Sequence, residues 1–162
     1  MKKPGFLTSL KKEGKLELVE PSEEICASYL EKAESSRKSA EVLLPHKLYE
    51  NSVSSSYYAM YNALTALLYK TGIKCENHSA AIILLRNLFG QEELYKSVSK
   101  AKEERIDKQY YVSTKKKEEE TKESAEKMLK DAEKFITEIK LIIRKMNASD
   151  VENIRKGFGL IV

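Results

Sequence analysis

The chain has no tryptophan, three prolines, six glycines, two cysteines and two histidines in 162 residues. Each scarcity removes a class of protein. So few turn formers exclude a loop-rich β fold and leave long helices. Cys26 and Cys75 form no Cys-x-x-Cys pair, which argues against zinc. With only His46 and His78, a histidine-rich metal centre is excluded, and no Glu-x-x-His pair of the di-iron bundle type occurs. Neither a glycine-rich phosphate loop nor a Gly-x-Ser-x-Gly elbow is present. No apolar run approaches the length of a membrane span, and the amino terminus lacks the continuous apolar stretch of a signal peptide. These absences predict a cytoplasmic protein with free thiols, no membrane association, no metal and no cofactor. The sequon Asn147-Ala148-Ser149 has no meaning without a secretory route.

What is present is a mixed, soluble composition: 41% apolar and 33% charged, with 29 basic residues against 25 acidic and a formal charge of +4. That balance permits a weak attraction to RNA or nucleotides without demanding it. The length fits one domain with a core of its own.

The periodicity predicts an all-α, up-and-down helical bundle of about five helices. Residues 1–20 are a lead-in, with a short amphipathic turn at Phe6, Leu7 and Leu10, an interruption at Gly14, and Leu16, Leu18 and Val19 extended against the domain. The bundle occupies 21–148. Ser22 caps a first helix to about Leu44, with Glu23 and Glu24 at the positive end of its dipole. Its inward stripe is Ile25, Tyr29, Ala33, Ser36, Ala40 and Leu43, and Pro45 stops it. A second helix runs from Tyr49 to just before Gly72, with a stripe at Val53, Tyr57, Met60, Tyr61, Leu64 and Leu68. Asn77 or Ser79 caps a short apolar helix that Gly90 ends. A fourth spans Gln91 to about Tyr111, with Leu94, Val98 and Ala101 inward. Ser113 or Thr114 caps a long last bundle helix, carried by Ala125, Met128, Leu129, Ala132, Phe135, Ile136, Ile139, Ile142, Ile143 and Met146. Residues 149–162 are a short helix, opened by a capping box at Ser149–Glu152, and an apolar tail from Gly157 to Val162 that docks on the bundle or on a partner.

Candidate chemistry gathers in two places. Tyr57, Tyr58 and Tyr61 lie within one helix, where a plain core would carry Leu or Phe, so that helix borders a polar cleft. Tyr57 and Tyr61 read as core rings whose hydroxyls are satisfied by the first or last helix. Tyr58 and Asn62 face a ligand. His78, at a helix start, either binds a phosphate or exchanges a proton, or simply caps the helix or bonds a backbone carbonyl. The second place is Arg105–Tyr111. Arg105 with a nearby Tyr110 or Tyr111 can hold a phosphate and stack a base. Alternatively, Arg105, Asp107 and the tyrosines form a surface network at the bundle end.

Taken together, Tyr57-Tyr58-Ala59-Met60-Tyr61, Gly72-Ile73, His78-Ser79 and Arg105-Ile106-Asp107-Lys108-Gln109-Tyr110 resemble the HEPN family over about Ser22–Phe135. The order and spacing of these landmarks carry the resemblance. It implies a helical bundle, often a homodimer, that in many members pairs with a minimal nucleotidyltransferase in a toxin–antitoxin-like or defence system. Other members are metal-independent ribonucleases that place a His four to six residues after an Arg. No Arg of this chain has such a His. Arg105 is followed by Tyr110 and Tyr111, and a phenol with a pKa of about 10 is a poor base at neutral pH.

The expectation is a nucleotide- or RNA-binding protein with Tyr58, Asn62, His78, Arg105, Asp107 and Tyr111 at the ligand. The alternatives are an endoribonuclease using Arg105 with Tyr110 or His78, and a non-catalytic interaction module.

Overall fold

A computed structural model describes residues 5–109 and 115–162, without the side chains of 109 and 115–117. The elements run α1 (Phe6–Lys12), β1 (Leu16–Leu18), α2 (Glu23–Leu43), α3 (Tyr49–Lys70), β2 (Ile73–Cys75), α4 (His78–Asn87), α5 (Glu92–Gln109), α6 (Lys115–Lys145) and α7 (Ala148–Ile161). The five expected bundle helices are α2 to α6, and the fold is all-α with one small ribbon. Tyr110, Tyr111, Ser113 and Thr114 lie outside the described residues.

α3 is the central helix, packed on α2, α6 and α5. Its contact with α2 is close because small residues meet there. Ala33 and Ala40 of α2 are fully buried, as are Ser52, Ala59 and Ala63 of α3. The Ser52 hydroxyl donates to the Ala40 carbonyl at 2.9 Å, which settles a polar group inside the contact. The expected stripe of α3 is buried at Val53, Tyr57, Met60, Leu64 and Leu68, with Tyr61 half-buried. α6 presents the longest amphipathic face and buries Ala125 through Ile139 at the expected spacing. Ile142, Ile143 and Met146 sit at the rim of the core.

The caps are local and follow side-chain chemistry. Ser22 accepts from the Ile25 amide at 3.1 Å, and Asn77 accepts from the Ala80 amide at 2.9 Å. Asn77, rather than Ser79, is therefore the cap of α4. Three expectations need correction. Ile25 is 40% exposed. Cys26 takes the inward position, because the face of α2 turned to α3 begins one residue later. The capping box of the last helix is set by Asn147 and Asp150, each accepting from the other's amide at 2.9 Å, not by Ser149 and Glu152. Finally, the segment from Gly157 is not a separate tail but the end of α7, with Phe158 buried and Leu160 pointing to solvent.

The antiparallel ribbon pairs Leu16 with Cys75 and Leu18 with Ile73. The extended lead-in was expected, but its partner strand was not. A three-residue strand is too short to show a period of two.

Gly72, between α3 and β2, has a φ of +72°. A Cβ there would press into the Arg155 guanidinium and the Val19 carbonyl oxygen. Arg155, on α7, donates through Nη1 to the carbonyls of Val19, Thr71 and Gly72 at 2.8, 3.0 and 3.0 Å. One guanidinium thus closes the carboxyl end of α3, where orphan carbonyls and the negative end of the dipole favour a cation. It also ties α7 to the ribbon. Replacing Arg155 by Ala leaves the Val19 and Thr71 carbonyls without their donor, while Gly72's keeps the Val19 amide, and should cost about 1–3 kcal/mol. Gly72→Ala adds backbone strain to a clash and should cost about 2–4 kcal/mol. Urea unfolding of both single variants and the double variant checks this. A sum that is strictly additive would contradict a shared site.

Candidate functional site

The site is built where α3, the start of α4 and the second half of α5 meet. Tyr57, fully buried on α3, reaches across to α4. Its hydroxyl lies 2.8 Å from His78 Nδ1. Burial pushes this phenol up to about 12, against the pull of the nearby Arg105 cation. Tyr57 therefore keeps its proton, and because Nδ1 is the one partner its buried hydroxyl has among the described residues, the arrangement that leaves no buried phenolic proton without an acceptor has Tyr57 donating and Nδ1 accepting. Burial, reinforced by the Lys102 and Arg105 charges, holds His78 below its ordinary value near 6.5. At neutral pH the imidazole is uncharged, and with Nδ1 accepting, its proton sits on Nε2.

Tyr61 fixes the ring plane. Its ring stacks on His78 at 3.7 Å between centroids and 17° between planes. Burial pushes the Tyr61 phenol upward as well. Tyr58 stands edge-on to both Tyr57 and His78, at 5.4 and 6.3 Å. It is 38% exposed, so part of its side chain reaches solvent.

Arg105 comes from α5. Its guanidinium carbon lies 5.0 Å from the Tyr58 ring centre and 5.5 Å from that of Tyr57, within the range of a cation–π contact. Its Nε is buried and has no hydrogen-bond partner among the described residues. Lys102, one turn earlier on α5, donates to the Ser79 hydroxyl. The result is a neutral N–H donor, two cations and a phenol around the start of α4. An anion is the species that such a donor set can hold, because each group donates or attracts negative charge.

Of the residues the sequence singled out, Tyr58, His78 and Arg105 are brought together. Asn62 is half-buried and turns to α2, where its amide approaches the Ser36 hydroxyl at 3.4 Å. Asp107 is exposed, and two residues' rotation from Arg105 places it on another face of α5. Tyr110 and Tyr111 lie outside the described residues. His78 is not the cap of α4; it is the first helical residue after the cap Asn77. The Tyr57 hydroxyl is settled by α4, not by the first or last helix. Lys102 was missed. Its signal was available, since it stands three residues before Arg105 and shares its face.

The fold and the cluster define a class: an all-α bundle with a cluster of aromatic and cationic side chains beside its central helix. Comparison with known proteins narrows this. The HEPN domain family matches residues 27–142. A protein of Methanocaldococcus jannaschii that carries the name "Putative toxin MJ0605" is 30% identical over 121 residues, 72% of this chain and 87% of that protein. The chain belongs to the HEPN domain family.

Two outcomes follow from the His78 environment. Tyr57→Phe removes the donor to Nδ1. Imidazole nitrogen NMR should then show His78 moving from the Nε2–H tautomer to a mixture, while exposed His46 is unchanged; an unaltered His78 tautomer would contradict the assignment. The second concerns pH. His78 is held below 6.5 when folded, so the unfolded chain takes the proton first as pH falls. The stability this residue contributes is complete above 6.5 and is lost as pH drops through the folded value. The urea midpoint should therefore fall on acidification from pH 7, and fall less in His78→Gln. Equal falls in both proteins would rule out His78 as a source.

Proposed function

We propose that this HEPN protein binds a nucleotide or an RNA strand, taking a phosphate between His78 Nε2–H, Lys102 and Arg105 with Tyr58 against the base or sugar. The single observation that carries the reading is the meeting of Arg105 and His78 from different helices, without a carboxylate paired to Arg105 among the described residues. A buried guanidinium nitrogen without an acceptor is costly, and a phosphate oxygen supplies the acceptor. The relative named as a toxin supports a place on the toxin side of a toxin–antitoxin-like pair. The resemblance adds a minimal nucleotidyltransferase as partner, and a homodimer.

A second reading, a metal-independent endoribonuclease, draws on the same convergence of Arg105 and His78. The tautomer weighs against it, because Nε2 already carries a proton and Nδ1 is engaged by Tyr57. In this state the imidazole donates and does not act as a base.

Binding is tested by titrating adenine nucleotides and short RNA in low salt. A ligand of the native state at a hundred times its Kd should raise unfolding free energy by about 2.7 kcal/mol. Arg105→Ala should weaken binding at least about tenfold, as expected for a charged hydrogen bond worth about 1.5–3 kcal/mol. No binding by the native protein, or full binding by Arg105→Ala, would overturn the proposal. Incubation of the same RNA in EDTA separates the two readings. Cleavage that disappears in Arg105→Ala would establish the ribonuclease.

A further inference from the structure

The accessible part of α3 is narrow. Between residues 58 and 69, only Tyr58, Tyr61, Asn62, Thr65 and Tyr69 keep solvent exposure, and every other position is buried. At 3.6 residues per turn these five fall within about 100° of the helix circumference and span about 16 Å. Each has a polar tip, and three are tyrosines. An apolar partner helix would be met by Leu or Ile at such positions.

At the end away from Arg105, Tyr69 stacks against Tyr29 of α2 at 5.6 Å and 8°. Lys32 Nζ lies 4.6 Å from the Tyr29 ring centre, and no carboxylate pairs with Lys32 among the described residues. Tyr61, on the same stripe, is the ring stacked on His78. The rings thus gather in two groups, Tyr29 with Tyr69 at one end of the stripe and Tyr57, Tyr58 and Tyr61 with His78 at the other, with Asn62 and Thr65 between them. The cations are unequal along it. Lys70 is paired to Glu23, and Lys74 to Glu17 and Glu76. Uncompensated charge sits at Lys102 and Arg105, with Lys32 alone at the far end.

From this we infer that Tyr29 and Tyr69 form a second subsite, a base-stacking platform, so that the α3 stripe takes a single-stranded nucleic acid several nucleotides long and not a mononucleotide. The inference rests on the phosphate-binding reading of Arg105 and His78. Stripes of aromatic rings with a cationic end are how proteins hold single strands without reading sequence. A 16 Å span covers about five nucleotides at the stacked rise of about 3.4 Å, and fewer in a stretched strand. The two ends divide the work: the Arg105 end holds phosphate, and the Tyr69 end holds bases.

The test uses the full chain with AMP and fluorescent oligoadenylates of two and eight nucleotides, titrated at several salt concentrations. The eight-mer should bind tighter than the two-mer. Tyr69→Leu and Tyr29→Leu should weaken the eight-mer by about five- to a hundredfold, the range for lost base stacking, while leaving the two-mer and the salt slope unchanged. Tyr69→Phe, which keeps the ring, should retain eight-mer binding and serves as the folding control. Arg105→Ala should weaken both oligomers and lower the salt slope by about 0.7. Equal affinity for the two lengths, or an eight-mer indifferent to Tyr69→Leu, would overturn the second subsite and leave the Arg105 site standing. If no oligomer or nucleotide binds, both readings fail. If the leucine variants instead change sedimentation and not nucleic-acid binding, the stripe is a contact with a second copy of the chain and the inference is overturned.

Discussion

A helix enclosed over most of its circumference has to find partners for its polar groups without water. α3 is such a helix, and it does so for its buried side chains except the Ser56 hydroxyl, which has no partner among the described residues. Ser52 gives its hydroxyl to the Ala40 carbonyl. Thr71, at its carboxyl end, gives its own to the carbonyls of Leu67 and Leu68. Just beyond it the Thr71 carbonyl goes to Arg155, which the Gly72 carbonyl shares with the Val19 amide. Tyr57 has no such local choice, because its ring points toward α4, and His78 is the acceptor it meets. The imidazole is thereby drawn into the core's edge, given one tautomer, and kept neutral. The polar site is thus a consequence of how the core satisfies one buried phenol.

The same enclosure explains the electrostatics. Lys102 and Arg105 approach His78 because α5 packs on α3 and α4, and their charge adds to burial in lowering its proton affinity. Two cations and a neutral donor side by side repel or at best ignore one another. They become mutually favourable once an anion lies between them. Family membership fits this arrangement in an altered form. Where the ribonuclease members resembling this chain carry His shortly after Arg on one stretch of sequence, here the His precedes the Arg and stands on a different helix. The two meet only through the fold.

Much of the bundle was readable in advance. The positions of α2 to α6, the buried face of α6, the Ser22 cap and the break at Gly72 all follow from signals spread over one helix or less. The misreadings were small rotations and shifts. Ile25 and Cys26 are neighbours, and which of them turns inward depends on the exact angle at which α2 meets α3. Ser149 and Asn147 are both good caps, and the choice went to the residue whose Asp stands three positions on with its side chain free to return the bond. The glycines at 157 and 159 read as a helix end, yet packing of Phe158 into the core carries α7 through them. Lys102 escaped notice because a lysine on an amphipathic helix is usually a solvated one.

The amino-acid sequence alone determined the all-α class, the helix register, and the presence of tyrosines where a plain core would have none. Those are properties of neighbours within a few turns, governed by side-chain period and capping chemistry. Only the tertiary structure decided that Tyr57 donates to His78, that Tyr61 stacks on that imidazole, and that Arg105 covers Tyr58 while Asn62 and Asp107 face elsewhere. These contacts join residues on three helices far apart in the chain. They depend on crossing angles and on which side of each helix the core has claimed, and no local pattern of residues encodes either.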